Sequence, residues 1–187
     1  KKNKDKVRAF IITHGHEDHT GAIPFVLKEI NAPIYATALT VGLIEAKLEE
    51  FNMLKTTEFV TVRPRDVVSI GPFEVEFIRV SHSIVDGCGL AIKTPHGVVI
   101  HTGDFKLDQT PIDGEVLDYA RFSEYGENGV LALLSDSTNV EKEGYTLSER
   151  VIGQNLEDIF RKCSGRIIVA AFSSNIHRIQ QVIDSPE

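Results

Sequence analysis

The chain has 187 residues, a formal net charge of −7, and 42% hydrophobic and 25% charged residues. That balance belongs to a folded globular protein and excludes a disordered or collagen-like chain; no apolar run reaches the roughly 20 residues of a membrane-spanning helix. The acidic total excludes a generally basic nucleic-acid-binding surface, but leaves room for a local basic groove or a metal site that binds phosphates.

The chain opens on Lys1, Lys2, Lys4, Lys6 and Arg8, which read as a solvated basic face. Residues 7–13, VRAFIIT, follow as a buried strand, β-branched and apolar on both faces. The spacing of Ala22, Ile23, Val26, Leu27 and Ile30 predicts a helix over 19–30, with Pro24 tolerated in its first turns. A short strand is expected at 32–37 and a helix over 38–54, with Leu39, Leu43, Ala46, Leu48 and Met53 as its apolar face. Between residues 58 and 104 the pattern turns to period two, with Gly71-Pro72 and Pro95-His96-Gly97 as turns. In FEVEFIRV, Glu74, Glu76 and Arg79 mark one wet face. Helix and strand then alternate: a polar helix around 115–126, strands at 130–135 and 166–171, and helices from about Ser148 to Cys163 and from about Asn175. Cys88 and Cys163 stand in no metal-type spacing and read as reduced core thiols of a cytoplasmic protein, and no signal-peptide pattern opens the chain.

The chemistry concentrates in THGHEDHTG, residues 13–21. Charges so dense after a buried strand would cost desolvation energy without a cation. His14 and His16 are two apart in extended chain, so both imidazoles can face one cation. Asp18 and His19 follow as the chain turns into a helix and suit a second. Further ligands are available at later strand ends, His82 in RVSHSI and Asp104 in HTGDFK, and a carboxylate can bridge two cations. Imidazole and carboxylate donors suit zinc, manganese or iron better than calcium or magnesium. His96 reads as an exposed turn residue and His101 as a supporting or core residue. Asp136, after the strand VLALLS, reads by position as a plain turn aspartate. Ser173, Ser174 and Asn175 precede a helix N-terminus, which suits either N-capping or a phosphate.

The order HxHxDH, His82, Asp104 resembles the metallo-β-lactamase superfamily. More narrowly, THGHEDHTGAIPFVL, VSHSI, HTGDFK, LLSDSTN and FSSNIHRIQQVI resemble the ribonuclease J family, in the β-CASP branch, over nearly the whole chain. The resemblance implies an α/β chain: a truncated metallo-β-lactamase αββα sandwich over 1–125, then the start of a β-CASP α/β domain over 126–187. It implies two divalent metal ions, zinc in preference to manganese. His14, His16 and His82 would hold one, Asp18 and His19 the other, and Asp104 would bridge. The activity implied is metal-dependent hydrolysis of RNA phosphodiesters, endonucleolytic and 5′→3′ exonucleolytic, in mRNA decay and rRNA maturation. A 5′-monophosphate would be preferred, with Asp18 and Asp136 assisting catalysis and Ser173, Ser174 and Asn175 contacting RNA phosphate. The full-length protein would form a homo-oligomer or a complex with a paralogue. By the same resemblance the chain is a fragment: a strand aspartate before the first motif and later histidines of the second metal site fall outside it. The alternatives are another hydrolase on this fold and a non-catalytic subunit of ribonuclease J type.

Overall fold

A computed structural model describes residues 3–185. Lys1 and Lys2 of the basic start lie outside the described residues. The first sheet is wholly parallel, in the order β1 (Phe10–Ile11), β2 (Ile34–Thr37), β3 (Phe59–Val62). Its crossovers carry α1 (Glu17–Thr20), α2 (Ile23–Leu27) and α3 (Ala38–Glu50). The second sheet has five strands in sequence order: β4 (Val67–Ile70), β5 (Phe73–Arg79), β6 (Cys88–Thr94), β7 (Gly97–His101) and β8 (Ala132–Leu134). The first four form an antiparallel meander and β8 joins β7 in parallel. α4 (Tyr119–Asn128) precedes β8, and α5 (Glu149–Lys162) and α6 (Ile176–Asp184) close the described chain.

Period-two alternation turns these sheets into four layers. In β2, Ile34 and Ala36 join Ile23, Leu27, Val41, Ile44 and Leu48 of the helices in one core. Tyr35, between them in sequence, packs in a second core with Val62, Val75, Phe77, Cys88 and Leu90, where the sheets meet face to face. On the far side of the second sheet, Ile78, Ala91 and Ile100 pack with Phe122 and Tyr125 of α4. The arrangement is an αββα sandwich, as the resemblance implies.

Several local expectations need correction. The helix expected over 19–30 is two short helices, because Pro24 has no N–H to offer the carbonyl four residues back. The buried face of α3 is Thr40, Val41, Ile44 and Leu48; Leu39 and Leu43 are only half-buried and Ala46 is exposed. Periodicity missed it because part of that face is polar, its threonine hydroxyl paired with that of Thr37 at 3.1 Å. Glu76 is buried, since α4 covers its face of β5 and supplies Arg121 and Tyr125 to its carboxylate. Residues 166–171 form no strand: they find no partner among the described residues, and Ile168 is 88% exposed. Cys88 is buried as expected, but Cys163 is exposed.

Candidate metal centre

The ends of β1, β5 and β7 converge on one edge of the sandwich. Beyond β1 the chain stays extended: Ile12 N donates to Tyr35 O at 2.9 Å, and Thr13 O accepts from Cys88 N at 2.9 Å. His14 and His16 follow, separated by Gly15, where an added Cβ would lie 2.5 Å from Leu43 Cδ1 of α3. His16 caps α1: its carbonyl accepts from His19 N at 3.1 Å and Thr20 N at 3.0 Å, which places Asp18 and His19 on the first turn. His82 follows β5 by way of Ser81, whose carbonyl accepts from Lys106 N at 2.8 Å. Asp104 follows β7 through Gly103, at φ 60°, where a Cβ would meet Cys88 O at 2.8 Å. Only glycine turns the chain there without strain.

The six residues form two groups that could hold cations, His14, His16, His82 and Asp104, and Asp18, His19 and Asp104, each with donor atoms within 4.8 Å of one another. In the first, His16 Nδ1 lies 3.1 Å from both His14 Nε2 and His82 Nε2. Asp104 Oδ2 is 3.8 Å from His14 Nε2 and 3.8 Å from His82 Nε2. The same oxygen is 3.4 Å from His19 Nε2, which is 3.6 Å from Asp18 Oδ2. Donors 2.0–2.1 Å from a tetrahedral ion stand about 3.3 Å apart, so the spacing fits. Three imidazoles with facing nitrogens have no good proton-sharing arrangement, and a shared cation resolves the conflict.

Protonation favours the same reading. Burial, then the neighbouring imidazoles, lowers the pKa of His14 to about 3. Burial also lowers His82, with His16 adding to it. In His16 burial outweighs the opposing pull of Asp18 and Asp104. These three imidazoles are therefore neutral at pH 7, the state a metal requires. Thr13 Oγ1 lies 3.1 Å from His14 Nδ1; a proton on Nδ1 donated to that hydroxyl leaves the Nε2 lone pair facing the centre. Ser83 Oγ stands 3.4 Å from His16 Nε2 in a similar relation.

Asp136 joins neither group. Its Oδ1 accepts from Thr138 N at 2.9 Å and Thr138 Oγ1 at 2.7 Å, and its Oδ2 from Phe105 N at 3.5 Å, beside Asp104. Burial pushes its pKa up, but the hydrogen bonds from Thr138 and Phe105 outweigh it and the net direction is down. Its own N donates to Thr102 Oγ1 at 3.0 Å, so Asp136 supports the ligand loop from behind. His101 is half-buried and its Nδ1 accepts from Gly103 N at 3.0 Å; His96 is exposed in its turn. Asn175 caps α6, accepting from Arg178 N at 3.1 Å, with Ser173 exposed and Ser174 half-buried ahead of it. None of those three is in a ligand group. Sequence reasoning missed Thr13 and Thr102; the one signal was a threonine at each of two ligand-bearing strand ends.

A family model described as "Beta-lactamase superfamily domain" matches residues 1–121. The chain belongs to that superfamily. Within it, the chain is 49% identical over 185 residues to "Ribonuclease J" of Synechocystis sp., covering 98% of this chain and 29% of that protein. It is 48% identical over 181 residues to "Ribonuclease J" of Helicobacter pylori (strain J99), covering 96% of this chain and 26% of that protein. The superfamily domain and its extension thus span less than a third of the length of either relative. A crystal structure of a protein of unknown function from Enterococcus faecalis V583 shares the fold, with a TM-score of 0.67 at 18% identity over 94% of this chain and 44% of that one. The superfamily assignment and the His/Asp cluster together make this a divalent-metal site.

Proposed function

We propose that this chain carries the metal centre of a ribonuclease that hydrolyses RNA phosphodiesters with two divalent cations, zinc or manganese. The observation that carries the reading is the position of Asp104, one carboxylate oxygen of which faces both donor groups. His14, His16 and His82 would hold one cation, Asp18 and His19 the other, and Asp104 would bridge. Bound there, the cations would lower the pKa of a water and neutralise charge on the phosphodiester. The chain's own residues do the rest. Neutral imidazoles keep their lone pairs on the centre, and Thr13 and Ser83 fix ring orientation. Asp18, exposed at the rim, would also orient the attacking water. Asp136 holds the Phe105 amide and with it the loop of Asp104.

The likeness to ribonuclease J supports RNA as the substrate; 5′→3′ and endonucleolytic cleavage and a 5′-monophosphate preference belong to the same proposal. The turn of Ser173, Ser174 and Asn175 at the start of α6 is the candidate phosphate contact, since a helix N-terminus offers free N–H groups. Assembly with a second copy or a paralogue, a cytoplasmic location and a second α/β unit beginning near residue 126 belong to the same proposal. No described helix is long and apolar enough to cross a membrane. The test offers metal-loaded full-length protein 5′-monophosphorylated RNA, 5′-triphosphorylated RNA and a chromogenic lactam. Faster digestion of the monophosphorylated RNA is expected; lactam turnover without RNA cleavage would overturn the reading.

A further inference from the structure

Glu149, the first residue of α5, is 8% exposed, unusual for a carboxylate that opens a helix. Every polar group it has is engaged. Its Oε1 accepts from Lys106 Nζ at 2.9 Å and its Oε2 from Arg178 Nη2 of α6 at 3.1 Å. Its N donates to Asp108 Oδ2 at 3.2 Å, and its carbonyl accepts from Gln181 Nε2 at 2.7 Å. Ser148 beside it donates to Thr110 O at 3.0 Å. One buried residue therefore grips α6 on one side and the segment 106–110 on the other.

That segment starts two residues after Asp104. Lys106 is held at both ends: its N donates to Ser81 O at 2.8 Å, next to His82, and its ammonium, 13% exposed, sits between Glu149 and Asp108, the latter at 3.5 Å. The peptide that Glu149 grips thus adjoins two residues of the donor cluster, Asp104 in sequence and His82 through Ser81. A buried ion pair is weak evidence for stability, and its best-attested use is to specify one geometry.

We propose that Glu149 is a positioning residue: through Lys106 it fixes the segment bearing Asp104 and bracing His82, so that the start of α5 sets the affinity and geometry of the metal centre. This rests on the metal-centre reading above. The test measures, in the full-length protein, zinc affinity by chelator competition and the visible spectrum of the cobalt-substituted form. Glu149→Ala is expected to weaken zinc binding by about 10–100-fold and to shift the cobalt bands. Lys106→Met, which leaves Glu149 paired with Arg178, should give the same change, and the double variant no further loss. Gln181→Ala loosens α6 without touching Lys106 and should leave the cobalt bands in place. Unaltered affinity and spectrum in Glu149→Ala would overturn the inference; should that variant not fold, Lys106→Met decides by the same criteria. His14→Ala separates the two readings: if it abolishes zinc binding while Glu149→Ala changes nothing, only the present inference fails, and if it too leaves binding intact, the metal-centre reading fails.

Discussion

His14 is 1% exposed, yet its outward nitrogen faces two other imidazoles and a carboxylate. Only the inner nitrogen meets a group outside that cluster, the Thr13 hydroxyl. That contact selects the tautomer a cation needs, so Thr13→Val, nearly isosteric, should weaken zinc binding about 10–100-fold with little change in the fold. Chelator competition on wild type and variant checks it. The six ligand candidates were legible in the sequence because ligand types recur at strand ends in a recognisable order. Thr13 was not, because a threonine at the end of a β-branched strand looks like a strand residue. Glu149 was not, because what it grips lies far away in sequence and only the fold brings the two together.

At the scale of elements, β5 shows what alternation can and cannot tell. Val75 and Phe77 point to the inter-sheet core as their spacing predicts. The opposite face looks wet, yet α4 lies over it. Glu76 there accepts from Arg121 Nε and Nη2, both at 2.6 Å, and from Tyr125 Oη at 2.5 Å. Burial raises the pKa of Glu76, but Arg121 and Tyr125 outweigh it and the net direction is down. Sequence alone cannot separate a carboxylate facing water from one facing an arginine on a covering helix. Arg121→Ala leaves that carboxylate buried without its counter-charge and should cost about 3 kcal/mol. Tyr125→Phe removes one hydrogen bond to a charged group and should cost about 2 kcal/mol. Urea denaturation measures both; losses under about 0.5 kcal/mol would show that α4 does not depend on the pair. Residues 166–171 fail in the opposite sense: the sequence has strand character, but a strand exists only with a ladder partner.

For the molecule as a whole, the four layers bring three strand ends to one edge, where His14, His82 and Asp104 meet. Crowding the imidazoles there has a consequence for pH. Their folded pKa values lie below 6.5, so below that pH the unfolded chain binds more protons than the folded one, and stability of the metal-free protein falls. Glu76 and Glu149 add to this at lower pH. Their folded pKa values lie below 4.5, so their contribution is present at neutral pH and lost as pH falls through those values. Thermal unfolding of the metal-free protein should therefore show a midpoint that declines from about pH 6.5 downward, and more steeply below about pH 4.5; a flat profile between the two would contradict the burial of neutral imidazoles. We propose this edge as the metal-dependent catalytic centre of a ribonuclease. The most direct test compares the full-length protein with its His14→Ala/His16→Ala variant for bound metal and for cleavage of 5′-labelled RNA. The variant is expected to lose metal and its cleavage to fall by at least about 10³-fold; undiminished cleavage by the folded variant would show that the metal centre is not catalytic.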